Sequence, residues 1–169
     1  MSRYLFSLPP TATIELRGPH NEYSFPLSDE VAKTLFLAGG TGIAPALQAA
    51  QKILSSSKNA SMRILWAVRN RAETEGQAAE EVERLKTRFG GRLQVGLFVD
   101  GEGGIRRGVV VDGVKGWGAK RVLVSGPEGF IAYWAGRKGP WVRGSETQGI
   151  VGGVLGQLVE DSGVEVWKL

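Results

Sequence analysis

Residues 34–45 read TLFLAGGTGIAP, an unbroken apolar run that stops at a glycine pair and turns at once into helical spacing. Apolar residues without polar alternation suit a strand buried on both faces, which requires a parallel sheet layered between helices. After the break, Ile43, Leu47, Ala50 and Leu54 recur at helical intervals. The alternation continues with a strand over 62–68, a helix over 78–88 and a strand over 92–99. A glycine-rich loop (101–104) and a poorly defined stretch follow, then a strand at 121–125 (RVLVS) and a helix begun by SGPEGF. A helix over 148–161, weakened by its glycines, and a short strand over 164–167 close the chain. Strands alternating with helices build βαβ units with right-handed crossovers. The expected fold is therefore α/β: a doubly wound, mostly parallel five-stranded sheet with helices on both faces. Ligands of such sheets bind outside the carboxyl ends of the strands. Gly39 and Gly126 each follow a strand and are expected on one rim.

The turn at 39–42 has the chemistry of an anion site. Gly39, Gly40 and Gly42 let backbone N–H groups approach a pyrophosphate, and the helix N-terminus adds a favourable dipole. Thr41 offers a hydroxyl, and Pro45 lies in the first helical turn, where its missing N–H costs nothing. A bare glycine pair would suit any tight strand-to-helix turn; three glycines, a threonine and a proline in so short a span favour a ligand. Better-known phosphate loops do not fit. No lysine follows as a P-loop requires, and Pro45 stands where a GxGxxG fingerprint needs its third glycine. The second strand ends in the basic run Ala67-Val68-Arg69-Asn70-Arg71, with no acid to hold a ribose. Tyr133 is followed four positions on by Arg137, which cannot relay a proton as lysine does.

Composition narrows the chemistry further. There is no cysteine, so disulfides, thiolate catalysis and zinc–cysteine sites are excluded, and the lone His20 cannot build a histidine metal site. The 25 glycines are about twice the usual share of ~7%. A net charge of +4 comes from scattered pairs such as Arg106-Arg107, Lys120-Arg121 and Arg137-Lys138, which read as solvated surface. No nucleic-acid motif accompanies them, so no nucleic-acid partner is expected. No apolar run reaches the ~18 residues of a membrane span. The start, MSRYLFSLPP, is not a signal peptide and reads as the cut edge of a longer protein.

Together, GGTGIAP and SGPEGF resemble the motifs of the ferredoxin–NADP reductase superfamily, of which NADH–cytochrome b5 reductases are well-known members. The resemblance covers most of residues 16–169 in order. It implies a flavin-binding antiparallel barrel followed by a nicotinamide-binding α/β domain. Residues 11–19 (TATIELRGP) are similar to the closing strand of that barrel, so residues 1–30 are expected to be its remnant and linker and 31–169 the NAD(P)H-binding domain. Carried over by position, Gly39, Gly40, Thr41, Gly42, Ile43 and Pro45 would contact the pyrophosphate and the nicotinamide side. Ser125 would lie beside the hydride path, and Gly126-Pro127 would turn under the nicotinamide, with Glu128 and Phe130 lining the site. Arg69, Asn70 and Arg71 fall where the family reads the adenosine ribose. An arginine there suits a 2′-phosphate and tilts the expectation toward NADPH, although a solvated loop arginine fits equally. Trp167 fits either an aromatic that stacks on the flavin or a strand tryptophan packed in the core.

The chain departs from the family in two places. Residues 136–149 (GRKGPWVRGSETQG) look inserted, and the barrel motif Arg-x-Tyr-Ser/Thr is absent, Arg3-Tyr4-Leu5-Phe6 being no match. FAD is thus expected on a missing N-terminal barrel domain, and this fragment alone is expected to be inactive. ELRGPHNEYSFP followed by LFLAGGTGIAPALQ further resembles fungal mitochondrial flavoproteins related to the cytochrome c import and haem-attachment factor. That implies an intracellular protein at the mitochondrial inner membrane, facing the intermembrane space, with a haem protein or cytochrome c maturation component as partner. His20 beside Pro19 would be a haem ligand or, more commonly, an exposed loop histidine. The expected chemistry is hydride transfer from nicotinamide to flavin and delivery to a one-electron acceptor, with no side-chain acid–base pair and no metal. Two other classes remain: a regulatory module that binds dinucleotide or a partner protein without catalysis, and a stand-alone dehydrogenase needing no flavin.

Overall fold

The computed structural model describes residues 4, 7–15, 33–142, 145–160 and 162–169. Its strands are β1 (Lys33–Gly39), β2 (Ser61–Val68), β3 (Leu93–Val99), β4 (Arg121–Ser125), β5 (Trp141–Val142), β6 (Ser145–Glu146) and β7 (Glu165–Lys168). The helices are α1 (Ile43–Ser56), α2 (Gln77–Phe89), α3 (Arg107–Val111), α4 (Glu128–Ala135) and α5 (Gly153–Val159). Five strands form one parallel sheet in the order β3-β2-β1-β4-β7. The chain winds outward from β1 through β2 to β3, then crosses to the other side of β1 and continues through β4 to β7. The direction of winding reverses between β1 and β4, where the strand ends part and a crevice opens.

The unbroken apolar run of β1 follows from this position. Its alternate residues supply two separate cores. Phe36 and Ala38 face α1 and α2, packed with Leu54, Ile64, Leu85 and Leu123. Leu35 and Leu37 face α3, α4 and α5, with Val110, Val122, Ile131 and Leu155. Each of the larger of these side chains contributes about 1.5–3 kcal/mol by leaving water. The central strand is thereby held from both sides, and the loops at its carboxyl end rest on a stiff base.

Several sequence expectations change. The segment 105–120, without clear pattern, forms α3 and then a π-helical turn over Asp112–Gly116 that buries Val110 and Val114. The helix expected over 148–161 shortens to Gly153–Val159. Residues before it are drawn along the sheet edge instead, where Gln148 bonds the backbone of Lys168 and the Gly152 N–H donates to the Ala135 carbonyl. The expected barrel strand is also not seen: Thr11 lies in a turn and residues 12–15 are irregular. A lone strand leaves its backbone groups unpaired, and among the described residues no strand pairs with it. Its remaining positions 16–17, the turn at 18–19, His20, the linker and Arg3, Leu5 and Phe6 lie outside the described residues. The stretch 136–149 does depart from a direct α4-to-α5 connection and carries the two-residue hairpin β5–β6.

Candidate functional site

The two glycine motifs meet at the carboxyl rim of the sheet. Ala38 and Ser125 are in register on β1 and β4, so Gly39 and Gly126 leave the sheet side by side. A Cβ on Gly42 would overlap the Ser125 carbonyl, and one on Gly126 would stand 2.9 Å from the Gly39 carbonyl oxygen. Only glycine allows this backbone-on-backbone contact. The ring of Phe130 covers Gly39, leaving no room there for a side chain. From below, the indole N–H of buried Trp66 on β2 donates to the Gly40 carbonyl at 3.0 Å.

Residues Gly40–Gly42 form a single 3-10 turn that feeds α1. No side chain caps α1 and no acid stands in its first turn. First-turn amides of this kind present positive charge to an anion. Pro45 occupies the third position of α1, inside that turn. Ile43 is buried and anchors the helix start, while Thr41 is exposed at the mouth.

A cleft of about 450 Å³ opens over this floor, lined by Gly39, Gly40, Thr41, Val68, Arg69 and Asp100, with Glu73, Pro127 and Phe130 at its sides. Glu73 organises the bend after β2: one oxygen accepts the Arg69 N–H and the other the Asn70 side-chain amide, each at 3.3 Å. Arg71 points elsewhere, held by both oxygens of Glu102 at 2.9 and 2.7 Å. Asn70 and Arg71 therefore do not line the cleft, whereas two unanticipated carboxylates, Glu73 and Asp100, do. Asp100 follows β3 just as Gly40 follows β1, and only the sheet order reveals that both ends share one rim.

Across the first turn of α4 lies a second cavity of about 600 Å³, lined by Gly126, Glu128, Gly129, Arg137, Lys138, Glu146 and Leu169 among others. Trp167 is partly buried against the core on the α1 side and pairs in register with Leu123, two residues short of the rim. Among the described residues no cluster of three or more His, Cys, Asp or Glu side chains could hold a metal, and no helix is long and apolar enough to cross a membrane.

Residues 36–135 match the family model described as the oxidoreductase NAD-binding domain. The chain belongs to this family. Within it, the NAD-binding domain is similar to nitrate reductase [NADH] 2 of Arabidopsis thaliana, 36% identical over 110 residues that span 59% of this chain and 12% of the relative. It is also 26% identical to NADH-cytochrome b5 reductase 2-B of Vanderwaltozyma polyspora, over 94% of this chain and 54% of the relative. The chain thus spans about half of that reductase and a small part of the nitrate reductase. The ferredoxin-NADP+ reductase of Plasmodium falciparum shares the fold, with a TM-score of 0.51 over 66% of this chain and 47% of that one at 14% identity. The superfamily expected from GGTGIAP and SGPEGF is the one these matches identify, and this chain is an NAD(P)H-binding domain of the ferredoxin reductase type.

Proposed function

We propose that the domain binds NADH in preference to NADPH and presents it to a flavin on a separate barrel domain. When bound, the dinucleotide supplies a hydride that the flavin passes on as single electrons. The residues present fit such a group. The interlocked backbone at Gly39, Gly42 and Gly126 is a floor that any side chain would fill, and the N-terminus of α1, with no side-chain cap, would turn its dipole toward a pyrophosphate. Thr41 and Arg69 line the same cleft, where Asp100 and Glu73 would accept hydrogen bonds from ribose hydroxyls.

The observation that carries the NADH preference is the pair of carboxylates in the cleft beside an Arg71 already engaged by Glu102. A 2′-phosphate would meet like charge there. FAD as the flavin, haem iron as the acceptor, and a mitochondrial location facing the intermembrane space are proposals supported by the sequence resemblance alone. So is the assignment of residues 1–30 to the end of a flavin barrel.

Titrating the chain with NADH, NADPH and their oxidised forms by calorimetry tests the reading. NADH should bind at least about tenfold tighter than NADPH, and Asp100→Asn should narrow the gap by a comparable factor. Binding of none of the four would sink it.

A further inference from the structure

After α4 the chain does not pass straight to α5. It returns along the outer edge of β7 and makes the β5–β6 hairpin, and its attachment there is built from side chains. Lys168, only 2% exposed, donates from Nζ to the Arg137 carbonyl at 2.7 Å and the Ile150 carbonyl at 2.9 Å. Gln148 pairs with the strand itself: its Oε1 accepts the Lys168 N–H at 2.7 Å and its Nε2 donates to the Lys168 carbonyl at 2.9 Å. A side-chain amide stands here where a further strand would otherwise pair. No ion pair joins Lys168 to a carboxylate among the described residues, so the ammonium is buried against carbonyls alone. Burial without an opposite charge is costly and pushes its pKa down. What the arrangement secures is the place of residues 137–138 and 148–150, on either side of the hairpin.

Arg137, Lys138 and Glu146 line one wall of the 600 Å³ cavity beside Gly126. Lys138 and Glu146 pair across the hairpin at 2.9 Å, and Arg137, Glu128 and Gly129 line the same cavity. The cavity touches Gly126, whose backbone rests on Gly39 at the nucleotide floor. A dinucleotide joins two nucleosides through a pyrophosphate. With Asp100 and Arg69 at one end of the rim, the second nucleoside must lie farther along it, past Gly126.

We infer that the segment clamped by Lys168 and Gln148 positions the nicotinamide–ribose half of the dinucleotide, the side chains of Arg137 and Lys138 meeting its polar groups. This rests on the dinucleotide reading above. Lys168 and Gln148 are positioning residues that act through the wall.

The test compares NADH with ADP-ribose, which keeps the adenosine and pyrophosphate but lacks nicotinamide, on the chain as it stands. The wild type should hold NADH more tightly than ADP-ribose. Lys168→Met should cost about tenfold in NADH affinity and leave ADP-ribose within about twofold. Lys138→Met, which leaves the buried clamp intact, should give a smaller selective loss of about threefold and decides the matter if Lys168→Met does not fold. Equal wild-type affinities, or losses that are parallel for both ligands or absent, would overturn the inference while leaving the nucleotide cleft intact. A wild type that binds neither ligand removes the dinucleotide reading and this inference with it.

Discussion

The two ends of the rim are built by opposite means. Where β1 meets β4 the floor is backbone: two glycine turns pressed together, a helix start and an indole bonded to a carbonyl. On the β4–β7 side the wall is a returning segment tied down by the side chains of Lys168 and Gln148. Backbone contact tolerates no substitution at the touching glycines but says little about which dinucleotide enters. Side-chain attachment allows change, and under the proposed reading the cleft carboxylates and wall cations are where selectivity would be tuned. A rigid backbone floor and side-chain walls thus share one rim.

The sharpest way to break this contrast is Gly42→Ala. Its methyl group would meet the Ser125 carbonyl, a backbone atom on the central sheet that has nowhere to go. A destabilisation of about 2–3 kcal/mol is expected in urea unfolding, with NADH binding weakened more than about tenfold. An unchanged midpoint would mean that the motifs do not interlock.

Trp66→Phe asks whether the loop needs support from beneath. It keeps most of the buried ring but leaves the Gly40 carbonyl without its donor, which should cost about 1–2 kcal/mol and a few-fold in affinity. Loss of stability with no change in affinity would show that the indole serves the core alone.

The smallest effect concerns the side-chain end. Burial lowers the pKa of Lys168 from 10.5, so between that lowered value and 10.5 the unfolded chain binds more protons than the folded one. Stability contributed at this site therefore rises as pH climbs through that window. The wild type should gain in Tm relative to Lys168→Met between pH 7 and pH 10; a difference that stays flat would mean that the amine is hydrated.

Much of the nucleotide side was legible in the sequence because its parts are contiguous. TLFLAGGTGIAP states a buried strand, a break and a helix start in order, and RVLVSGP repeats the strand and break. The basic run at 69–71 gives no local sign that Glu102 pairs with Arg71. Trp66 read as one more apolar strand residue, and its hydrogen-bonding role depends on a loop 26 positions away. The helix placed over 148–161 failed in its first turn because Gln148 is drawn to Lys168 across the chain, a tertiary pull stronger than local spacing.

The sequence by itself determined the parallel α/β architecture and the glycine turn into α1, since both follow from local apolar period and from where glycine permits the backbone to bend. Only the tertiary structure decided which carboxylates reach the cleft, which arginine is left to meet a ligand, and that a buried lysine holds the far wall. Those depend on strand order and on partners distant along the chain, which bring Asp100 beside Gly39 and Arg137 beside Lys168.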